Sequence, residues 1–348
     1  MAGPENHDRH LDDEIARLRD ELTLVRRPTR VSAVACIQLA QRLRQRATRD
    51  DDDAVIDEAL RLIDWAIEVL PPDDPSWHSA LIERALTLEL RFRYSREQAD
   101  LDTAIVIWRR LASVDPLVQG SPAAEATARL GALLRQQAAV LINAGADDDT
   151  VTATLAEAHQ TLVAARTCLP ADSPSLAETC WLLGLCWGDR YEQERDPHYL
   201  NQAIAEIAES LRLTPDLSGD RHYALAKALH ERARRHRKAN RCGVDDPAVD
   251  LASALHHVRA ALRTVGPADP FRIEVLWAGV TIAITQTHIA PTDVDVTELR
   301  TWVNHILTPP AATDDPPNVP RLAGRSRAHN PDGLLRKRPR RASRNHRR

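Results

Sequence analysis

The chain has 348 residues, rich in Ala and Leu, with two Phe, four Tyr, 12 Gly and 22 Pro, a balance that favours helices over sheets. Its net charge of −4 is uneven: residues 321–348 hold eleven Arg or Lys and one acid, Asp332, a local charge of +10, so residues 1–320 carry −14. No apolar run approaches the ~18 residues of a membrane helix, the polar, acidic N-terminus has no export signal, and the five cysteines (Cys36, Cys168, Cys180, Cys186, Cys242) lack any Cys-x-x-Cys pair and fit reduced, partly buried thiols; a cytoplasmic protein with no membrane partner is expected.

Taken in chain order, Leu11, Ile15, Leu18 and Leu22 predict a capping helix near 9–25. Helix pairs follow. First helices are predicted at about 30–49, 75–95, 121–145, 174–193, 219–239 and 270–288, with partners at about 53–70, 99–113, 149–168, 197–213, 246–264 and 293–307. In the partners an alanine recurs with eleven residues between it and a proline: Ala59 and Pro71, Ala104 and Pro116, Ala158 and Pro170, Ala203 and Pro215, with Ala254 and Pro267 one residue looser. Successive alanines lie 45, 54, 45 and 51 residues apart, the sign of a copied structural unit and hence of a solenoid.

Each partner helix carries an apolar stripe, as in Leu200, Ile204, Ile207 and Leu211, in Leu251, Leu255, Val258 and Leu262, and in Ile56, Leu60, Ile63 and Ile67. The recurring alanine lies on that stripe, where a small side chain admits a close neighbour. The proline ends the helix because it has no N–H to donate. Asp74-Pro75, Ser121-Pro122, Ser173-Pro174 and Asp269-Pro270 restart it, an oxygen-bearing cap followed by a proline suited to the first turn. Thr297 stands where the last pair should have its alanine. The organisation expected is a capping helix in 1–29, an all-α array of about six pairs in 30–308 forming one body, and a disordered Pro/Arg-rich basic tail in 309–348.

Two stretches align without gaps on their alanines, RFRYSREQADLDTAIVIWRRLASVDP from Arg91 and RYEQERDPHYLNQAIAEIAESLRLTP from Arg190. They resemble the TPR-like repeats of about 45 residues found in the N-terminal regions of bacterial CHAT-domain, caspase-like proteins. The resemblance rests on the Arg-aromatic pairs Arg91-Phe92 and Arg190-Tyr191, on the Asp-Leu-Asp-x-Ala-Ile opening at Asp100 to Ile105, and on the Leu-Gly steps Leu183-Gly184 and Leu130-Gly131. It covers residues 30 to 308 and is weak in the fifth unit. It implies a right-handed α-solenoid whose first helices line a concave face. The family's protease domain would have to follow the array, and only about 40 residues remain, so the resemblance implies no catalysis here.

Candidates for chemistry have bland readings. His230-Glu231 with His236 lacks the i, i+4 spacing of a zinc helix; His256 and His257 point apart; Cys180 and Cys186 read as core thiols. No phosphate-binding loop, dinucleotide fingerprint or nucleophile elbow is present, and the acidic runs Asp50 to Asp53 and Asp147 to Asp149 suit helix starts. Neither enzyme activity nor a cofactor nor a metal is expected. Binding of a protein or peptide along the first helices is expected instead, with Arg84, Arg91, Trp181, Arg190 and Arg235 as candidates and Arg93, Trp187, Arg232 and Arg237 on the same helices. Trp65 and Trp108 read as core. The matched positions of Arg91 and Arg190 also suit a structural role, holding a carboxylate of a neighbouring helix.

Two further readings stay open at this level. The array could be the regulatory arm of a CHAT-type protease system. The tail, with Arg336, Lys337, Arg338, Arg340 and Arg341, could bind nucleic acid through phosphate, fold against the acidic array, or be the out-of-frame end of a longer coding region.

Overall fold

The structure is a computed structural model that describes residues 4–24, 27–50, 52–113, 122–214, 219–239, 246–289 and 295–307, with side chains for all but 4–9 and 236–239. Thirteen helices run through them: α1 (Pro4–Thr23), α2 (Arg30–Asp50), α3 (Ile56–Val69), α4 (Pro75–Ser95), α5 (Gln98–Ala112), α6 (Pro122–Ala144), α7 (Asp148–Cys168), α8 (Pro174–Glu194), α9 (Pro197–Leu213), α10 (Gly219–Ala239), α11 (Pro247–Thr264), α12 (Phe271–Thr287) and α13 (Val296–Leu307). The described residues contain no strand, and the all-α pairing of TPR-like repeats is what the chain adopts. The tail expected in 309–348, together with Pro116, Ser121 and Pro215, lies outside the described residues.

Contacts divide the chain at Ala171/Asp172 into two compact units, where the repeats alone suggested one body. In the first unit α1 packs on α2, the pairs α2/α3, α4/α5 and α6/α7 follow, each partner helix touches the next first helix, and α2 also touches α4. The second unit repeats this scheme with α8/α9, α10/α11 and α12/α13.

The anchor alanines Ala59, Ala104, Ala158, Ala203 and Ala254 are all fully buried. A methyl side chain leaves room for the helix packed against it, and glycine on that helix uses the room. A Cβ placed on Gly184 of α8 would meet Ile207 Cγ1 at 2.5 Å, and one on Gly131 of α6 would meet Leu162 Cγ at 2.6 Å. Ile207 and Leu162 each stand four residues after an anchor alanine, one helical turn along the same stripe. The Leu-Gly steps are therefore the complement of the alanines.

Caps set the boundaries. Asp74 accepts the Ser76 N–H at 2.8 Å, Ser173 that of Ser175 at 3.2 Å, and Asp269 that of Phe271 at 2.9 Å. Second helices use the same device: Asp196-Pro197 and Asp246-Pro247 accept from His198 and Ala248, both at 2.9 Å. Asp147 caps α7 through Thr150 N–H at 2.8 Å, with Asp148 and Asp149 in the first turn, where a negative charge favours the helix dipole. Two first helices close on a left-handed arginine, Arg96 (φ 62°) after α4 and Arg195 (φ 58°) after α8. Each guanidinium lies over the buried aromatic that ends the preceding turn, Arg96 at 5.9 Å from Phe92 and Arg195 at 5.4 Å from Tyr191, an attraction that offsets part of the backbone strain.

Candidate functional site

Most of the arginines expected to face a ligand are already engaged. Arg91 on α4 gives two hydrogen bonds to Asp100, at 2.8 and 2.6 Å, and a third to Asp57 at 2.9 Å. Arg232 on α10 repeats the arrangement with Asp250, at 2.8 and 2.6 Å, and reaches Asn201 at 3.3 Å. Both aspartates are almost fully buried and stand four residues before an anchor alanine. In the fourth pair that position is Tyr199, and Arg190 bonds its hydroxyl at 2.8 Å and Glu194 at 3.1 Å while stacking on Tyr199 and Trp187. These residues join α8 to α9.

Arg84 pairs with Asp64 of α3 at 2.7 Å. With Arg91 it lines a depression of about 270 Å³ that also includes Asp57, Leu60, Arg61, Asp64 and Leu88; four of these seven residues belong to the partner helix α3, so the depression is a seam between pairs. Arg235 donates to the Arg195 carbonyl at 2.7 Å and lies 5.2 Å from the Tyr191 ring. Trp181 is buried in α8, with Arg221 at 6.0 Å from its ring. Trp187, half-buried, stacks on Tyr199 at 5.6 Å. Trp108 is core and donates to Glu89 at 2.6 Å, and Trp65 is partly buried against the first core. The side chain of Arg237 and the tail candidates Arg336, Lys337, Arg338, Arg340 and Arg341 fall outside the described residues.

A different set of arginines converges on the first helices of the first unit. Arg44 of α2 grips buried Glu83 of α4 at 2.5 and 3.2 Å. Glu89 of α4 takes the Trp108 N–H on one oxygen, and Arg129 of α6 stands 3.8 Å from the other. Arg93 lies one turn beyond Glu89 and is exposed; among the described residues it makes no hydrogen bond or ion pair of its own. Three guanidiniums thus surround two carboxylates across α2, α4 and α6. Burial pushes the Glu89 carboxyl above its ordinary value against the pull of Arg129 and Trp108. Burial and the like charges of Arg129 and Arg44 push Arg93 down, against the opposing pull of Glu89. Burial leads both shifts, so both directions describe a partly dehydrated place. Beside it, Ile82 and Leu86 present a half-buried apolar strip.

Sequence reasoning named Arg93 only in passing and missed Arg44, Arg129, Glu83 and Glu89. The i, i+4 spacing of Glu89 and Arg93 was a readable signal. Nothing local in the sequence marks Arg44 or Arg129, whose partners are 39 and 40 residues away.

The remaining chemistry stays bland. Cys36, Cys168, Cys180 and Cys186 are buried and in no disulfide, and burial pushes the Cys36 thiol up to about 11, which keeps it protonated and unreactive. His230 bonds the Thr285 hydroxyl at 2.9 Å. Among the described residues no group of three or more His, Cys, Asp or Glu could hold a metal, and no helix is long and apolar enough to cross a membrane.

No known protein family and no curated protein matches the chain. Among solved structures it is similar to Pseudomonas aeruginosa PilF, at 17% identity and a TM-score of 0.45 over 78% of this chain and 98% of that one. It is also similar to PilW, a type IV pilus biogenesis factor, at 14% and 0.36 over 77% and 98%. A third is Nro1, a nuclear import adaptor, at 12% and 0.47 over 86% and 92%. At these scores the three carry no functional argument.

Proposed function

We propose that the chain is a non-catalytic TPR-like scaffold that holds an acidic peptide segment of a protein partner along the first helices of its first unit. The observation that carries this reading is Arg93, an open guanidinium beside Arg44 and Arg129 where two internal carboxylates leave one positive charge over. A guest carboxylate placed there gains charge-assisted hydrogen bonds in a partly dehydrated setting, while Ile82 and Leu86 receive an apolar side chain next to it. Arg84 and Arg91 in the first unit, and Arg190 and Arg235 in the second, are taken up by contacts between neighbouring segments of their own unit.

Fluorescence polarisation with labelled peptides tests this. An Asp/Glu-rich peptide with flanking Leu should bind, weaken as salt rises, and lose about tenfold or more in affinity with Arg93→Ala, about 1.4 kcal/mol per decade. Arg84→Ala should bind normally. Equal affinity for Lys-rich peptides, or binding indifferent to Arg93→Glu, would sink the proposal.

A further inference from the structure

The two carboxylates near Arg93 are held in different ways. Glu83, with a side chain 4% exposed, takes the Arg44 guanidinium on both oxygens at 2.5 and 3.2 Å, and that pair is closed. Glu89 accepts the Trp108 indole N–H on Oε1 at 2.6 Å, while its Oε2 stands 3.8 Å from Arg129, beyond the reach of a hydrogen bond. Among the described residues Arg129 makes no other ion pair or hydrogen bond, and Arg93 makes neither. Glu89 is thus an acid fixed by a neutral donor beside two cations that it does not fully engage.

Charge decides what can join it. Arg44 and Glu83 cancel, so Arg93, Arg129 and Glu89 leave one positive charge where a guest anion would sit. A single carboxylate closes that balance. A phosphate monoester, at about −1.5 to −2 near neutral pH, exceeds it, although two guanidiniums would otherwise suit phosphate as well as they suit a carboxylate. An anion that reaches Arg93 and Arg129 together must lie beside Glu89, which stands one helical turn before Arg93 on the same side of α4. The Glu89 side chain is 14% exposed, so water screens its repulsion weakly. Turning away would cost it the bond from Trp108, whose ring is buried in the core.

On the reading that an acidic guest docks at Arg93, we infer that Glu89 sets the specificity of the site, admitting an Asp or Glu side chain and rejecting a phosphorylated one. The discrimination comes from a built-in repulsive charge rather than from an added attraction. Trp108 is the positioning residue that keeps this charge in place.

Fluorescence polarisation compares two labelled peptides of the same Leu-flanked sequence that differ at one residue, Asp in one and phosphoserine in the other, at about pH 7.5 and fixed salt. The parent protein should bind the Asp peptide more tightly. Glu89→Gln, which keeps an oxygen for the Trp108 N–H, should move the ratio of the two affinities by about tenfold or more towards the phosphopeptide, the size expected of one unit charge a few ångströms away. Arg129→Gln, at a position 55% exposed where the fold tolerates the change, removes a cation instead and should move the ratio the other way. A parent protein that prefers the phosphopeptide, or a ratio unmoved by Glu89→Gln or by Arg129→Gln while the Asp peptide still binds, would overturn this inference alone. Failure of both peptides to bind the parent protein and both variants would overturn the acidic-guest reading and the inference with it.

Discussion

Asp100, 3% exposed at the start of α5, receives both prongs of the Arg91 guanidinium from α4, and Asp250 receives Arg232 in the same way at the start of α11. The acid is buried and the arginine half-open, so the pair fixes where the second helix begins relative to the first. Removing the arginine leaves a buried carboxylate without its counter-charge. Arg91→Ala should destabilise the protein by about 2–3 kcal/mol, less than a fully buried pair because solvent reaches the guanidinium. Replacing both members with Leu at 91 and Asn at 100 should recover part of the loss. Urea melts of the two variants check both expectations.

Gly184 and Ile207 give a second prediction. A methyl group at position 184 has no free space beside the Ile207 side chain and the Ala203 carbonyl, 3.3 Å away. Gly184→Ala should therefore destabilise by about 1–3 kcal/mol despite the better helix propensity of Ala. A Gly184→Ala, Ile207→Val double variant should regain part of the loss, read as a partial return of the urea midpoint.

Those contacts show how far the sequence could be read. Helices, caps and anchor alanines were legible because each has a local signature: periodicity, an oxygen before a proline, a small residue on an apolar stripe. The brace was half legible, since the Arg91 and Arg190 match pointed to an interhelical carboxylate, while Asp250 was overlooked because its segment reads Asp-Leu-Ala-Ser-Ala rather than Asp-Leu-Asp. Arg44, Arg93 and Arg129 were not recognised together. A stripe tells which side of a helix is buried, but loops of unequal length hide how the polar sides of successive helices line up. The division at Ala171 had no signature at all.

Histidines set the acid response of the second unit. His222 and His257 share one hydrogen bond, Nδ1 to Nδ1 at 2.9 Å between α10 and α11, which requires one ring to lend a lone pair. Burial, with His222 and His256 adding to it, pulls His257 down to about 4; burial, then His256 and Arg263, lowers His222 as well. Burial chiefly, and Arg234, pull His230 down to about 4 against Glu231. The unfolded chain takes up these protons first, near the ordinary 6.5, so their contribution is complete above that pH and declines as pH falls towards 4. The melting temperature should drop between pH 7 and pH 5. His257→Leu should flatten that slope, and an unchanged slope would contradict the assignment. Asp74, held at about 2 by Arg30 and the Ser76 N–H, acts in a lower window, its contribution lost only below about 3.8.

The central claim is that the first helices of the first unit receive an acidic peptide at Arg93. Its most direct measurement is a nuclear magnetic resonance titration of the labelled protein with the Asp/Glu-rich peptide, following arginine Nε–Hε and backbone signals. The account predicts saturable shifts concentrated on Arg44, Arg93 and Arg129 and on the backbone of α2, α4 and α6. Shifts confined to other helices, or none at saturating peptide, would contradict it.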